Sequence, residues 1–126
     1  GIAAFSARCH GMAGCVINGC TRDVDEMQAL NFPVYGLGIV QTSVRQRVFF
    51  EGHGMPVNLG AVEVQLGDYI FGDGNGVVVV PKDRVKEMLD IALTLQDQER
   101  RIRQDIALGV PPVHAHKNHR YEQPTP

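Results

Sequence analysis

The sequence predicts one α/β domain, a compact β unit with flanking helices and a long C-terminal helix. Short apolar runs, broken every few residues by Gly, Asn or Asp, fill positions 34–80. Helix-forming stretches precede them, and from about Asp83 to Leu108 apolar residues recur at helical spacing. A chain of 126 residues has the length of a single domain that buries its core without staples.

Taken in order, Ala3 to His10 are good helix formers that stop at Gly11, a C-terminal glycine. No Ser, Thr, Asp or Asn precedes Ile2, so GIAAFSARCHG reads as the middle of a helix and a missing N-terminal portion is expected. Cys15-Val16-Ile17 is long enough for a buried strand. Val24 to Leu30 forms one or two helical turns with Val24, Met27 and Leu30 on one face, ended by Asn31-Phe32-Pro33. Strands are then predicted at Val34-Tyr35, Gly38-Ile39-Val40, Arg47-Val48-Phe49-Phe50, Met55-Pro56-Val57, Val62-Glu63-Val64, Tyr69-Ile70-Phe71 and Val77 to Val80. The unalternating valines of the last imply burial on both faces.

Pro81 ends that strand. The helix after it carries Val85, Met88, Leu89, Ala92, Leu95, Ile102 and Ile106 as an apolar stripe. At about 40 Å it exceeds what a small β unit covers, so its far end is expected to project or to meet a neighbouring chain. Gly109 and Pro111 stop it. Residues 1–109 thus form the domain, and 110–126, polar and without periodicity, a flexible tail.

A net charge of -2 gives no field for nucleic acid or an anionic membrane. No apolar run approaches the roughly 18 residues of a membrane span, and the sequence shows no basic-then-apolar signal segment, so it reads as cytoplasmic by default. Cys9, Cys15 and Cys20, odd in number and without knuckle spacing, read as small buried hydrophobes in a reducing compartment.

The segment GCVINGCTRDVDEM joins an apolar run to a charged one. Its Arg22-Asp23 pair has two readings. Asp23 caps the helix at Val24 while Arg22 is solvated, which local sequence favours. Alternatively, Asp23 ligates a divalent cation and Arg22 offers its planar fork to a substrate carboxylate or carbonyl. Asp25 and Glu26 suit the first helical turn. Asp73 in GDGNG belongs to a tight turn that lacks both the EF-hand spacing and the dinucleotide-loop pattern. His114, His116 and His119 lie in the Pro-flanked tail, without the support an ordered metal site needs, and His10 and His53 are isolated.

The string GMAGCVINGCTRDVDEMQALNFPVYGLG resembles the RraA-like family, which includes 4-hydroxy-4-methyl-2-oxoglutarate aldolases and regulators of ribonuclease activity. That family shows G-x-x-G-x-V-(I/V)-(D/N)-G-x-x-R-D, a Phe-Pro-Val strand, and a later block that appears here as VEVQLGDYIFGDGNGVVVVP, with Leu66 where proline is usual. The resemblance runs from about Gly1 to Gly109. It implies a swivelling β/β/α fold and a homotrimer or hexamer with sites between subunits. It also implies Mg²⁺ (or another divalent cation such as Mn²⁺) on Asp23, and Arg22 on the substrate. Gly1-Ile2-Ala3 would be the remainder of a substrate-binding backbone loop whose acidic member is replaced by Gly1. Glu99 matches a glutamate that reaches a neighbouring subunit's site.

The function so implied is a metal-dependent lyase that cleaves 4-hydroxy-4-methyl-2-oxoglutarate-type 2-oxo acids to pyruvate, decarboxylates oxaloacetate, or both. The alternative is a non-catalytic, protein-binding regulator of ribonuclease activity on the same fold. A third reading is a truncated or diverged chain that folds and oligomerises but does no chemistry.

Overall fold

The computed structural model describes residues 1–119, so the C-terminal end of the predicted tail lies outside the described residues. The chain divides into two compact units, Gly1–Pro81 and Lys82–Pro126, where the sequence reading drew a single domain to residue 109.

In the first unit, α1 (Ile2–Cys9) is followed by β1 (Cys15–Val16), β2 (Cys20–Thr21) and α2 (Val24–Ala29), then β3 (Val34–Tyr35) and β4 (Gly38–Ile39). β1 pairs with β3 and β2 with β4, both parallel, so α2 is the crossover of a β-α-β unit. The pairs are linked by Ile17 N–H donating to Tyr35 O at 2.9 Å and Leu37 N–H to Gly19 O at 2.7 Å. Buried Ala4, Met27 and Phe32, with Ala7, Val24, Leu30 and Val34 packed around them, form the core between α1, α2 and β3. The predicted α2 face (Val24, Met27, Leu30) is the face that builds it.

Two antiparallel hairpins complete this unit: β5 (Val57–Leu59) with β6 (Val62–Val64), and β7 (Tyr69–Asp73) with β8 (Gly76–Val80). Asn75 N–H donates to Asp73 Oδ1 at 2.8 Å, which closes the second turn and holds the Asp73 carboxyl below the usual carboxylate range. A Cβ at Gly72 would lie 2.6 Å from the Tyr35 ring, so β7 approaches β3 as closely as only glycine permits.

Several expectations are corrected. Arg47–Phe50 is not a strand: a turn closes from Val44 to Arg47, and Gln46 sits at φ 59°, which breaks the extended backbone. The predicted strand at Met55–Val57 begins only at Val57. Val77–Val80 is not buried on both faces: Val78 is exposed, whereas Val77, Val79 and Val80 are covered. The three cysteines are exposed rather than buried. His53 is not isolated but stacks on Phe50.

The second unit holds α3 (Val85–Ala107) and α4 (Pro112–Asn118). Its 23 residues make α3 about 35 Å long. Ion pairs Arg84–Glu87, Asp97–Arg100, Asp97–Arg101 and Glu99–Arg103 run along its exposed side. Arg84 holds the Glu87 carboxyl, and Arg100 that of Asp97, below the ordinary carboxylate value. The segment 112–118, expected to be flexible, is helical. Pro112 occupies the first helical position, where its missing N–H costs nothing, and packing against α3 buries Ala115 and Ile102. His119 Nε2 meets Asp105 Oδ2 at 3.0 Å, which fixes the far end.

Candidate active site

The Asn18–Asp23 segment lies where the β1–β2 strand region hands over to α2, and its geometry separates the two readings of Asp23. Asp23 occupies the N-cap position of α2 but adopts φ 63° and ψ 39°, in the left-handed region. An N-cap side chain reaches the first-turn amides from an extended backbone. From the left-handed conformation it does not, and Asp23 makes no side-chain cap bond. The expectation that Asp23 caps the helix is therefore corrected.

Its carboxylate faces a cleft instead. Arg22 Nε lies 3.5 Å from Asp23 Oδ2, and the nitrogen of Gly1 lies 3.3 Å from the same oxygen and 3.3 Å from Glu26 Oε2. A Cβ at position 1 would come within 2.2 Å of Asp23 Oδ2, so the start of α1 lies directly against this carboxylate. The cleft, of about 700 Å³, is lined by Gly1, Ile2 and Ala3 on one side and by Arg22 and Asp23 on the other. Ala4 and Met27, from the core, form its floor.

The site residues that the resemblance implied in the first unit, Gly1, Ile2, Ala3, Arg22 and Asp23, all line this cleft. Glu99 lies on α3 in the second unit, where its carboxylate meets Arg103 at 3.8 Å. Asn18 turns its Oδ1 to the backbone N–H of Gly60 at 3.4 Å and so ties the motif to the β5–β6 turn.

Sequence reasoning missed two contributions. Glu26, read as first-turn charge, lines the cleft, and so does an apolar wall of Val40, Val44 and Val48 with Thr42. The alternation of positions 40, 42 and 44 was the available signal, since alternate residues of an extended segment share a face.

Among the described residues no three His, Cys, Asp or Glu side chains form a ready metal cage. The donor set still fits a hard cation such as Mg²⁺, which takes one or two carboxylates and keeps several waters. Asp23 offers such a carboxylate, unspent on capping, at the cleft edge.

Residues 1–79 match the profile of the RraA-like family, described as Aldolase/RraA. The chain belongs to the RraA-like family. It is 35% identical over 115 residues to protein DlpA of Legionella pneumophila, covering 91% of this chain and 19% of that protein. It is also 35% identical over 98 residues to a Halalkalibacterium halodurans protein named "Putative 4-hydroxy-4-methyl-2-oxoglutarate aldolase", covering 77% of this chain and 46% of that one. A crystal structure of an uncharacterized protein from Pseudomonas syringae pv. tomato superposes with a TM-score of 0.87 at 30% identity, over 93% of this chain and 55% of that chain. The chain thus spans less than half the length of these two curated relatives, and the predicted α/β, RraA-like fold is the one found. Among the described residues no helix is long and apolar enough to cross a membrane.

Proposed function

We propose that this cleft is the active site of a divalent-metal-dependent lyase that releases pyruvate from 2-oxo acids. The reaction is aldol cleavage of substrates of the 4-hydroxy-4-methyl-2-oxoglutarate type, oxaloacetate decarboxylation, or both. The observation that carries the reading is the Asp23 carboxylate, which occupies a helix N-cap position without capping and faces the cleft beside Arg22. The name of the Halalkalibacterium relative supports the reaction class.

Asp23 would hold the cation, Mg²⁺ or Mn²⁺. When bound, such an ion acts as a Lewis acid toward the substrate's carboxylate and keto oxygens. Arg22 receives the substrate carboxylate on its planar fork and adds positive charge where negative charge develops on the keto oxygen. The Gly1-Ile2-Ala3 backbone, which lines the same cleft, would orient that carboxylate. No Schiff-base lysine is needed, consistent with Lys82, Lys86 and Lys117 all lying outside the first unit.

As the family resemblance implies, the chain would assemble into a homotrimer or hexamer, in which Glu99 would act at a neighbour's site. The regulator reading requires no free carboxylate at position 23, and the lyase reading does.

The test is pyruvate release from oxaloacetate and from 4-hydroxy-4-methyl-2-oxoglutarate with Mg²⁺, with chelator, and with Asp23→Ala. Release that stops in both controls is expected. Release indifferent to chelator and to the substitution would contradict the metal mechanism. No release, together with capture of a ribonuclease, would favour the regulator.

A further inference from the structure

At the reactive end, the two walls of the cleft are joined through one nitrogen. Asp23 Oδ2 and Glu26 Oε2, about one helical turn apart, each lie 3.3 Å from the nitrogen of Gly1. Asp23 stands at the N-cap of α2 and Glu26 at its third position. In a capping box the side chains at these two positions bond amides of their own helix. Here both carboxylates meet the start of α1, and Asp23 Oδ2 also lies 3.5 Å from Arg22 Nε.

The two carboxylates are not equivalent. Under the proposed function Asp23 gives its oxygens to the cation, which competes for them with the Gly1 nitrogen. Glu26 is then the acceptor that keeps Gly1-Ile2-Ala3 in place across from Arg22. Its side chain is 70% exposed and lies outside the buried core of Ala4, Met27 and Phe32, so the contact adds little to stability. What it fixes is the separation of the walls between which the substrate carboxylate binds, where small misplacements are costly.

Resting on the reading of the cleft as a 2-oxo acid site, we infer that Glu26 is a positioning residue. Its carboxylate holds the Gly1 nitrogen and so sets the Gly1-Ile2-Ala3 wall for the substrate, touching neither substrate nor cation.

The test compares the wild type with Glu26→Ala, Glu26→Gln and, as a control, Asp25→Ala. Asp25 is a first-turn acid of the same helix that does not line the cleft. Mn²⁺ affinity is read by electron paramagnetic resonance, pyruvate affinity by calorimetry in saturating Mg²⁺, and unfolding by circular dichroism. Glu26→Ala should weaken pyruvate binding about fivefold to tenfold and raise the KM for oxaloacetate by a similar factor, with kcat within about twofold. Its Mn²⁺ affinity and unfolding midpoint should match those of Asp25→Ala. Glu26→Gln, which keeps an acceptor oxygen at the same reach, should recover most of the loss. Unchanged pyruvate affinity in Glu26→Ala, or a loss that Glu26→Gln does not recover, would overturn the inference. A parallel fall in Mn²⁺ affinity would overturn it as well, since Glu26 would then act on the cation. So would an equal loss in Asp25→Ala, or one that follows a lowered unfolding midpoint, by assigning the effect to helix charge or stability. If the wild type binds neither Mn²⁺ nor pyruvate, the 2-oxo acid reading itself falls and takes the inference with it.

Discussion

Helices α1, α2 and α3 end alike, whereas the start of α2 departs from the rule that sequence suggests for it. At each C-terminus a residue in the left-handed region (Gly11, Asn31 and Gly109, at φ 78°, 48° and 91°) follows the last turn. The two amides after each helix then return to its carbonyls: Gly11 to Arg8 and Met12 to Ala7, Asn31 to Gln28 and Phe32 to Met27, Gly109 to Ile106 and Val110 to Asp105. This is the Schellman arrangement, and it satisfies carbonyls that would otherwise be orphaned. At the start of α2 an aspartate stands where it could satisfy the amides, yet its backbone is left-handed and its carboxylate faces the cleft. None of the four described helices has a side-chain cap bond at its start, but only α2 places an aspartate there, and under the proposed function that carboxylate is kept for the cation.

The comparison breaks most visibly at Asp23. Asp23→Asn keeps a residue that tolerates the left-handed region, so the folded state should change by less than about 0.5 kcal/mol. Metal-dependent pyruvate release should nevertheless fall roughly 100-fold or more. Thermal unfolding and steady-state kinetics on the same samples check both halves. A large loss of stability would mean that Asp23 supports the helix after all.

Packing effects come next. Gly72→Ala forces a Cβ against the Tyr35 ring and should cost about 1–3 kcal/mol in urea unfolding, as over-packing does. Gly109→Ala meets no neighbouring atom within 4 Å. It should therefore cost only the left-handed backbone penalty, about 1 kcal/mol, read by thermal unfolding.

The smallest expected effect is electrostatic. Glu87 and Asp97 have native pKa values lowered by Arg84 and Arg100, so each adds stability that is present above the ordinary carboxylate pKa of about 4. That contribution is lost as pH falls through the lowered native values. These groups are solvent-exposed and screened, so the loss of helical circular dichroism below about pH 4 should be slight and should shrink in high salt.

Elements set by local patterns were legible in the sequence. The α3 stripe, the two hairpins with their glycine turns, and the stops at Gly11, Asn31 and Gly109 all follow from period and punctuation. Elements set by their surroundings were not. Arg47–Phe50 has strand composition but no partner strand, and Pro112–Asn118 has tail composition but a helix to pack on. In the site, Arg22 and Asp23 stood out as an adjacent charged pair after a glycine turn, and Gly1-Ile2-Ala3 only through the family resemblance. The valine wall and Glu26 carry no motif, because a cleft lining is assembled from segments distant in sequence. The left-handed backbone of Asp23, which keeps its side chain from capping α2, leaves no trace in composition.

The most direct test is a Mn²⁺ titration followed by electron paramagnetic resonance, with pyruvate present, comparing the wild-type chain with Asp23→Asn. Stoichiometric Mn²⁺ binding by the wild type and its loss in the variant is the predicted result. Equal binding by both proteins would contradict the claim that the Asp23 carboxylate is withheld from the helix to hold a cation.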